Sequence, residues 1–559
     1  MNATIHARRR AGGALATAGL LLALLTTPAS AASLETLVQD DANLLHRPAE
    51  QVAASMARLK ALGVDRVRLT ANWSVLTRDT DAEQPPVFDA ADPAAYEQAR
   101  WRGLDRAVVA AHEAGLQVLI DLGFWAPHWA TDDPPGPRAR TNVDPAAYAA
   151  FVQAAVRRYD GKFAPAPDAG PPPPPSQDET LLEQTFGPTG GGHDGGSAAD
   201  AVVDVAPLPA VTQFALWNEP NHPSLLLPQW SGTGAAARPA SPVLYRRMLA
   251  AAVPAARAAR PEAELLIGNT SSSGGHPGSG AVAPLRFVRE LACVDRALRP
   301  LRTPACANFK PIDGDGWAHH PYSRNRRPDA PTRADRPDDV SIADLGKLSA
   351  LLDALAARGR IAPGLRRIHV TEFGYETEPI AGRPTLDQAT QARWLTWAER
   401  LATSSPGVVS FAQFLLRDQP PAPTKVSDSP ARAFGQYGTG LDRADGTPKL
   451  AAASFVAGLF ARTAGPRQAQ LWARLRLAPG PHTIAVEERR GPRWRQVVTR
   501  PAGGGPATRS FSMDGHDAVT RGVVRHAGSR FRLVTPGADG ARVRGIEVAA
   551  MGPPPAPRR

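Results

Sequence analysis

Apolar residues over the first 460 positions recur at two alternating spacings: short runs of strand length, and longer stretches with the three-to-four-residue period of a helix. The runs predicted as strands are Leu34 to Asp40, Asp65 to Thr70, Gln117 to Gly123, Val211 to Trp217, Glu264 to Asn269, Gly314 to Tyr322, Arg367 to Thr371 and Val408 to Leu416. The stretches predicted as helices are Pro48 to Leu62, Trp101 to Ala114, Pro145 to Tyr159, Pro242 to Ala259, Leu285 to Leu298, Ile342 to Arg358, Leu386 to Thr403 and Leu450 to Leu459. Gly63 and Gly115 stand where a helix C-cap needs a left-handed residue. Eight strands each followed by a helix predict an α/β fold, a (β/α)8 TIM barrel, over residues 32–460.

Two regions break the alternation. Residues 164–200 are rich in proline and then glycine (PPPPP at 171–175, TGGGHDGG at 189–196), a composition that cannot bury a core, and are expected to form a loop inserted before the fourth strand. His193 within it carries no chemistry. From residue 463 to 550, short alternating runs separated by glycine and proline predict a small C-terminal antiparallel β-sandwich. Residues 551–559 read as a disordered tail.

Composition adds the compartment. Arg8, Arg9 and Arg10, the apolar run Ala14 to Leu25 and the small residues Ala29 to Ala31 make residues 1–31 a signal peptide, so the mature chain is expected to be secreted, with no membrane anchor once the signal is cleaved. Of 559 residues two are cysteines, Cys293 and Cys306, and in an exported protein such a close pair predicts a disulfide. The net charge of +11 comes almost wholly from arginine. Those arginines are scattered among acids, with no basic block interleaved with aromatics, so they read as solvated faces and nucleic acid is not an expected partner. No His/Cys cluster with metal spacing, phosphate-binding glycine turn or serine nucleophile elbow occurs, and no cofactor or metal is expected.

Two predicted strands end on an acid. LWNEPN (216–221) delivers Glu219 behind Asn218, and HVTEFGY (369–375) delivers Glu372. In a parallel barrel all strand ends face one mouth, so acids ending the fourth and seventh strands converge. Two adjacent carboxyls are what glycoside hydrolysis with retention requires, one as acid/base and one as nucleophile.

These stretches resemble the clan A glycoside hydrolases, retaining (β/α)8 enzymes with catalytic acids on strands four and seven, and in particular the cellulase-like family 5 and xylosidase-like family 39 groups. The resemblance implies that Glu219 is the general acid/base, that Glu372 is the nucleophile and that Asn218 binds the sugar 2-hydroxyl. An acid/base must start protonated, so the charge of Glu372 and an apolar wall from Trp217 are expected to raise the pKa of Glu219. It also implies that Arg68 in VRLTANW lies beneath the nucleophile and that His320 and Tyr322 in HHPY are the strand-six pair. Of His319 and His320 one must face the barrel wall, and the spacing to Tyr322 selects His320. For Trp73, Trp125 and Trp317, sugar stacking and core packing stand as alternatives. The chain departs from family 5 at strand eight, where FAQFLLRD offers Phe414, Arg417 and Asp418 in place of a tryptophan platform. The loop GFWAPHWA, with Trp125, His128 and Trp129, is closer to family 39. The implied function is hydrolysis of a poly- or oligosaccharide by a monomer. The alternative is an inactive barrel that binds carbohydrate or associates with a cell wall.

Overall fold

The computed structural model describes residues 34–134, 136–166, 176–178, 180, 207–276, 278, 280–377, 385–419, 437–536 and 542–552. The signal peptide, nearly all of the 164–200 insertion and the tail from 553 lie outside these residues. Of the tail, Met551 is described, and its carbonyl accepts a hydrogen bond from Thr463 N (2.8 Å).

Eight parallel strands close into a barrel: β1 (Glu35–Gln39), β2 (Arg66–Asn72), β3 (Gln117–Gly123), β4 (Gln213–Leu216), β5 (Glu264–Ser271), β6 (Gly316–His320), β7 (Ile368–Val370) and β8 (Val408–Phe414). Closure is made by β1, which pairs Leu37 with Ala412 of β8 on one side and with Arg66 of β2 on the other. The helices that follow the strands are α1 (Ala49–Ala61), α2 (Gln98–Glu113), α3 (Pro145–Arg158), α4 (Ser241–Ala259), α5 (Pro284–Leu291), α6 (Leu345–Ala356), α7 (Gln388–Ser404) and α8 (Leu450–Val456). Local signals fix their starts. Asp144 accepts from Ala146 N and Ala147 N ahead of Pro145, and Asp387 accepts from Thr390 N, satisfying backbone donors that the first turn leaves open.

Register decides which side chains reach the barrel axis. Leu37, Leu119, Ala215, Leu266, Ala318 and Ala412 form a small apolar cluster there. Two residues further along their strands come Gln39, Asp121 and His320, so polar groups lie above an apolar floor on the same inward face. The large outer core, under the helices, takes the alternate positions.

The C-terminal region is antiparallel. β9 (Ala457–Gly465), β10 (Gln468–Leu475), β15 (Ala518–Val524) and β13 (Thr499–Pro501) form one sheet in that order. The other contains β12 (Arg493–Gln496), β11 (Pro481–Arg490), β16 (Arg530–Pro536) and β17 (Arg542–Arg544), with β14 (Ser510–Asp514) on β11 and β18 (Val548–Ala549) on β16. Leu459, Leu471, Leu475, Ile484, Val486, Phe531 and Leu533 fill the space between them. The final barrel helix is shorter than its apolar run predicts. After Val456 the chain turns to strand, because Ala457 to Thr463 pair with Leu475 to Ala469 of β10, and helical and strand periods cannot be told apart over so short an apolar run.

These sheets brace the amino-terminal end of the barrel, away from the strand ends that carry the acids. Arg476 bonds Thr36 Oγ1 (3.0 Å), Phe455 O (2.6 Å) and Glu399 Oε1 of α7 (2.5 Å), and Arg474 reaches Leu34 O (3.1 Å). Burial pushes the Arg476 guanidinium down to about 10 despite the Glu399 charge. Gly63 must be glycine here: its φ is +74°, and a Cβ would sit 2.6 Å from the Arg476 Cβ. Glu399→Ala would leave two buried guanidinium groups without their carboxylate. We expect a loss of about 3–5 kcal/mol in urea unfolding, with turnover of the folded fraction unchanged. No helix among the described residues is long and apolar enough to cross a membrane.

Candidate active site

The carboxyl ends of the barrel strands converge on the guanidinium of Arg68, which is fully buried on β2. Its Nη1 donates to Glu372 Oε1 (2.6 Å) and to Gln39 Oε1, and its Nη2 to Asp121 Oδ2 (2.8 Å) and Asn218 Oδ1 (2.8 Å). One planar fork thereby fixes side chains from β1, from β3 and from the loops after β4 and β7, a geometry that a lysine could not reproduce. Asp121 is clamped on its other oxygen by Asn269 Nδ2 (2.9 Å), and Asn269 Oδ1 accepts from Thr371 Oγ1 (3.1 Å). Burial pushes the Asp121 carboxyl up to about 6, opposed chiefly by Arg68.

The backbone is strained where it delivers the acid. Trp217 (φ 68°), Glu219 (φ 37°) and Asn269 (φ 40°) all occupy the left-handed region although none is glycine, and such outliers persist only where the surroundings over-determine them. Here Glu219 N donates to Asn269 O (3.1 Å), while Asn221 accepts from Ser271 N (2.8 Å) and donates to Val282 O (2.9 Å). The turn that raises Glu219 into the mouth is thus sewn to β5. Trp217 crosses above Gly123 so closely that a Cβ there would lie 2.7 Å from its ring.

The two acids differ in their partners. Glu372 takes Arg68 on one oxygen and the Tyr322 hydroxyl (3.2 Å) on the other. Burial and the charge of Glu372 raise the Tyr322 phenol well above its ordinary pKa, so it remains a donor. Glu219 Oε1 lies 2.9 Å from His320 Nδ1. The expected upward shift of Glu219 is not found. Burial pushes its pKa up, but the hydrogen bond from His320 and the charge of that ring outweigh burial and lower it. Nor does Trp217 wall the acid: its ring packs edge-on against Tyr148 (centroids 5.3 Å), and its Nε1 donates to Leu225 O.

One oxygen of each carboxylate and one ring nitrogen of His320 lie within 4.8 Å of each other, the one group of this kind among the described residues with metal-ligand spacing. Its chemistry does not favour a cation, since Arg68 already places positive charge 2.6 Å from Glu372. Glu219 and Glu372 remain 18% and 12% exposed while Arg68 and His320 are sealed, so of these four the two acids can meet a solute. They line a cleft of about 760 Å³ with Asn218 and Tyr322, and with Phe124, Phe414 and Tyr437 as its aromatic surface.

Arg68, Asn218, Glu219, His320, Tyr322 and Glu372 therefore meet at one point. The three tryptophans do not. Trp73 stacks on Phe151 of α3 (5.6 Å) and Trp129 packs edge-on against it, while Trp317 faces outward on β6 between the inward positions Gly316 and Ala318. Trp125 is fully buried and donates to Ser224 O. Of the loop GFWAPHWA, Phe124 lines the cleft, and His128 is held by Asp133 O (2.6 Å). At strand eight Asp418 is paired with Lys449 Nζ (2.9 Å), leaving Phe414 to line the cleft. Gln39, Asp121 and Asn269 escaped notice in the sequence. Their signal was a polar side chain near the end of an otherwise apolar strand. His319 faces the wall, bonded to Thr270 and Val340, with burial pushing it down to about 4. Cys293 and Cys306 form a disulfide with their Cα atoms 5.7 Å apart.

A closed (β/α)8 barrel with carboxylates after its fourth and seventh strands fits the clan A pattern that the motifs resemble. No protein-family model matches the chain and no curated protein matches it. Among solved structures it is similar to a monomeric β-xylosidase from Caulobacter crescentus CB15, at 14% identity over 89% of this chain and 98% of that one, with a TM-score of 0.43. It is also similar to a GH5_18 protein from Streptomyces cattleya in complex with GlcNAc (17%, 76% and 79%, TM-score 0.40). A third is an endo-β-1,4-mannanase from Thermotoga petrophila (10%, 93% and 98%, TM-score 0.35). At such scores the geometry of the site, and not the likeness, carries the functional reading.

Proposed function

We propose that this chain is a secreted glycoside hydrolase that cleaves the O-glycosidic bonds of a poly- or oligosaccharide with retention, by double displacement. The observation that carries the reading is the pairing of Glu219 and Glu372, with oxygens within 4.8 Å and with unlike partners. Retaining enzymes hold their carboxyls about 5–5.5 Å apart, whereas inverting enzymes need about 6.5–9.5 Å to admit a water. Export is supported by the apolar amino terminus and the disulfide.

Each role follows from its surroundings. Glu372, held as a carboxylate by Arg68 and oriented by Tyr322, attacks the anomeric carbon as the glycosidic bond breaks. The departing oxygen takes a proton from Glu219. His320 Nδ1, 2.9 Å from Glu219 Oε1, orients that carboxyl. Water then attacks the glycosyl-enzyme, Glu219 takes its proton, and Glu372 is released. Asn218, its Oδ1 fixed by Arg68, turns its amide N–H toward the sugar 2-hydroxyl.

The test of the acid/base is its dependence on leaving group. Glu219→Ala should slow hydrolysis of aryl glycosides with poor leaving groups by about 10²–10⁴-fold and spare dinitrophenyl glycosides. Azide should accelerate the variant and give a glycosyl azide of retained configuration. Equal losses for good and poor leaving groups would remove Glu219 from this role.

A further inference from the structure

The loops after β5 and β6 enclose a second cavity of about 530 Å³ beside the cleft. The two spaces share Ser272, Ser273, Tyr322 and Arg324 as lining. Tyr322 is the residue that holds Glu372, so the second cavity lies one side chain from the reacting carboxylate.

Its charge is one-sided. Arg324, Arg326, Arg333 and Arg336 line it against two carboxylates, Asp335 and Asp339. The two acids can offset only half of that charge. Asp335 is occupied by Arg333 (2.9 Å), and Asp339 accepts from Gly274 N (2.8 Å), with burial raising its pKa. Arg336 and Arg326 are spent on backbone carbonyls, Gly274 O (2.6 Å) and Ala330 O (3.1 Å), which fixes the loop walls without cancelling charge. Arg324 makes no side-chain hydrogen bond or ion pair among the described residues, and its backbone sits at φ 52°. A left-handed arginine that lines both cavities with an uncommitted fork is suited to bidentate capture of a planar or tetrahedral oxyanion.

We infer that the substrate is an acidic glycan, and that Arg324 in this cavity binds an anionic substituent, a uronate carboxylate or a sulfate, of a sugar whose neighbour occupies the cleft. The inference rests on the hydrolase reading for the identity of the ligand as a glycan. A phosphorylated metabolite fits less well, because the cavity continues into the cleft where a chain of sugars would run.

The experiment is affinity electrophoresis of the full chain at about 150 mM NaCl, where long-range attraction by the net charge is screened. Its gels contain polygalacturonate, carboxyl-reduced polygalacturonate, dextran sulfate or dextran. Two exposed single variants are compared: Arg324→Ser in the cavity, and Arg495→Ser on β12. At least one acidic polymer should be held about tenfold more tightly than its neutral form. The cavity variant should lose most of that preference and the β12 variant should keep it. The arm that responds separates carboxylate from sulfate. No preference for either acidic polymer overturns the inference, as does more than half of the preference surviving in the cavity variant, or an equal loss in both variants. Hydrolysis of neutral aryl glycosides tests the hydrolase reading separately, so either can fail alone.

Discussion

Glu372→Ala is expected to lower turnover of an activated aryl glycoside by about 10⁴-fold or more, with the folded structure intact. The side chain is 12% exposed and lies at the end of a short strand, so truncation opens space on the cleft side rather than a hole in the core. Its immediate neighbours do not replace it. Tyr322 is held protonated, and Glu219 is engaged by His320 Nδ1 at 2.9 Å. Azide should enter the vacated space beside Arg68 and attack the anomeric carbon from the face that Glu372 served, giving a glycosyl azide of inverted configuration. Retention of about 1% of wild-type activity or more, or an azide product of retained configuration, would falsify the nucleophile assignment.

The same acid illustrates what could be read beforehand. The eight runs that predict strands correspond one for one with β1 to β8, because parallel strands are buried on both faces and their apolar runs are unbroken. Once strand order is known, convergence of Glu219 and Glu372 follows from barrel geometry alone. Which side of a strand end a large ring occupies does not follow. Trp73, Trp125 and Trp317 stand near strand ends as Phe124 and Phe414 do, and only packing against α3, or the outward register of β6, separates core from cleft. The pKa of Glu219 was illegible for a similar reason. Its shift depends on a hydrogen bond to His320, 101 residues away. Arginines 324 to 336 looked like solvated charge because each has an acid close in sequence. Folding directs two of those acids elsewhere, Asp338 to Arg289 and Asp339 to Gly274 N, while Asp329 and Asp335 stay with Arg327 and Arg333.

Removing the guanidinium of Arg68 should disturb both stability and chemistry. In Arg68→Met, Asp121 keeps Asn269 but loses its cation, and Glu372 keeps only Tyr322. Leaving a buried carboxylate without its partner costs about 3–5 kcal/mol. The pH dependence identifies the cause. Burial raises the folded-state pKa of Asp121 to about 6 from an ordinary 3.8 even with Arg68 present. A carboxyl raised on folding favours the folded state at low pH, and that favour is lost as pH climbs from about 4 through 6, on the order of 3 kcal/mol in all. Without Arg68 the folded pKa must rise further, so the variant should lose more stability than wild type as pH increases and approach it most closely near pH 4. Adding Asp121→Asn removes the titrating group. The double variant should recover most of the stability at pH 8 while remaining at least about 10²-fold impaired in kcat, because Glu372 and Asn218 still lack the fork that orients them. Chemical denaturation at pH 4 and pH 8, with kcat measured on the same samples, decides the matter. If the double variant is no more stable at pH 8 than Arg68→Met, the buried Asp121 charge is not what Arg68 offsets. If Arg68→Met keeps near-normal kcat, the arginine braces the barrel without orienting the acids.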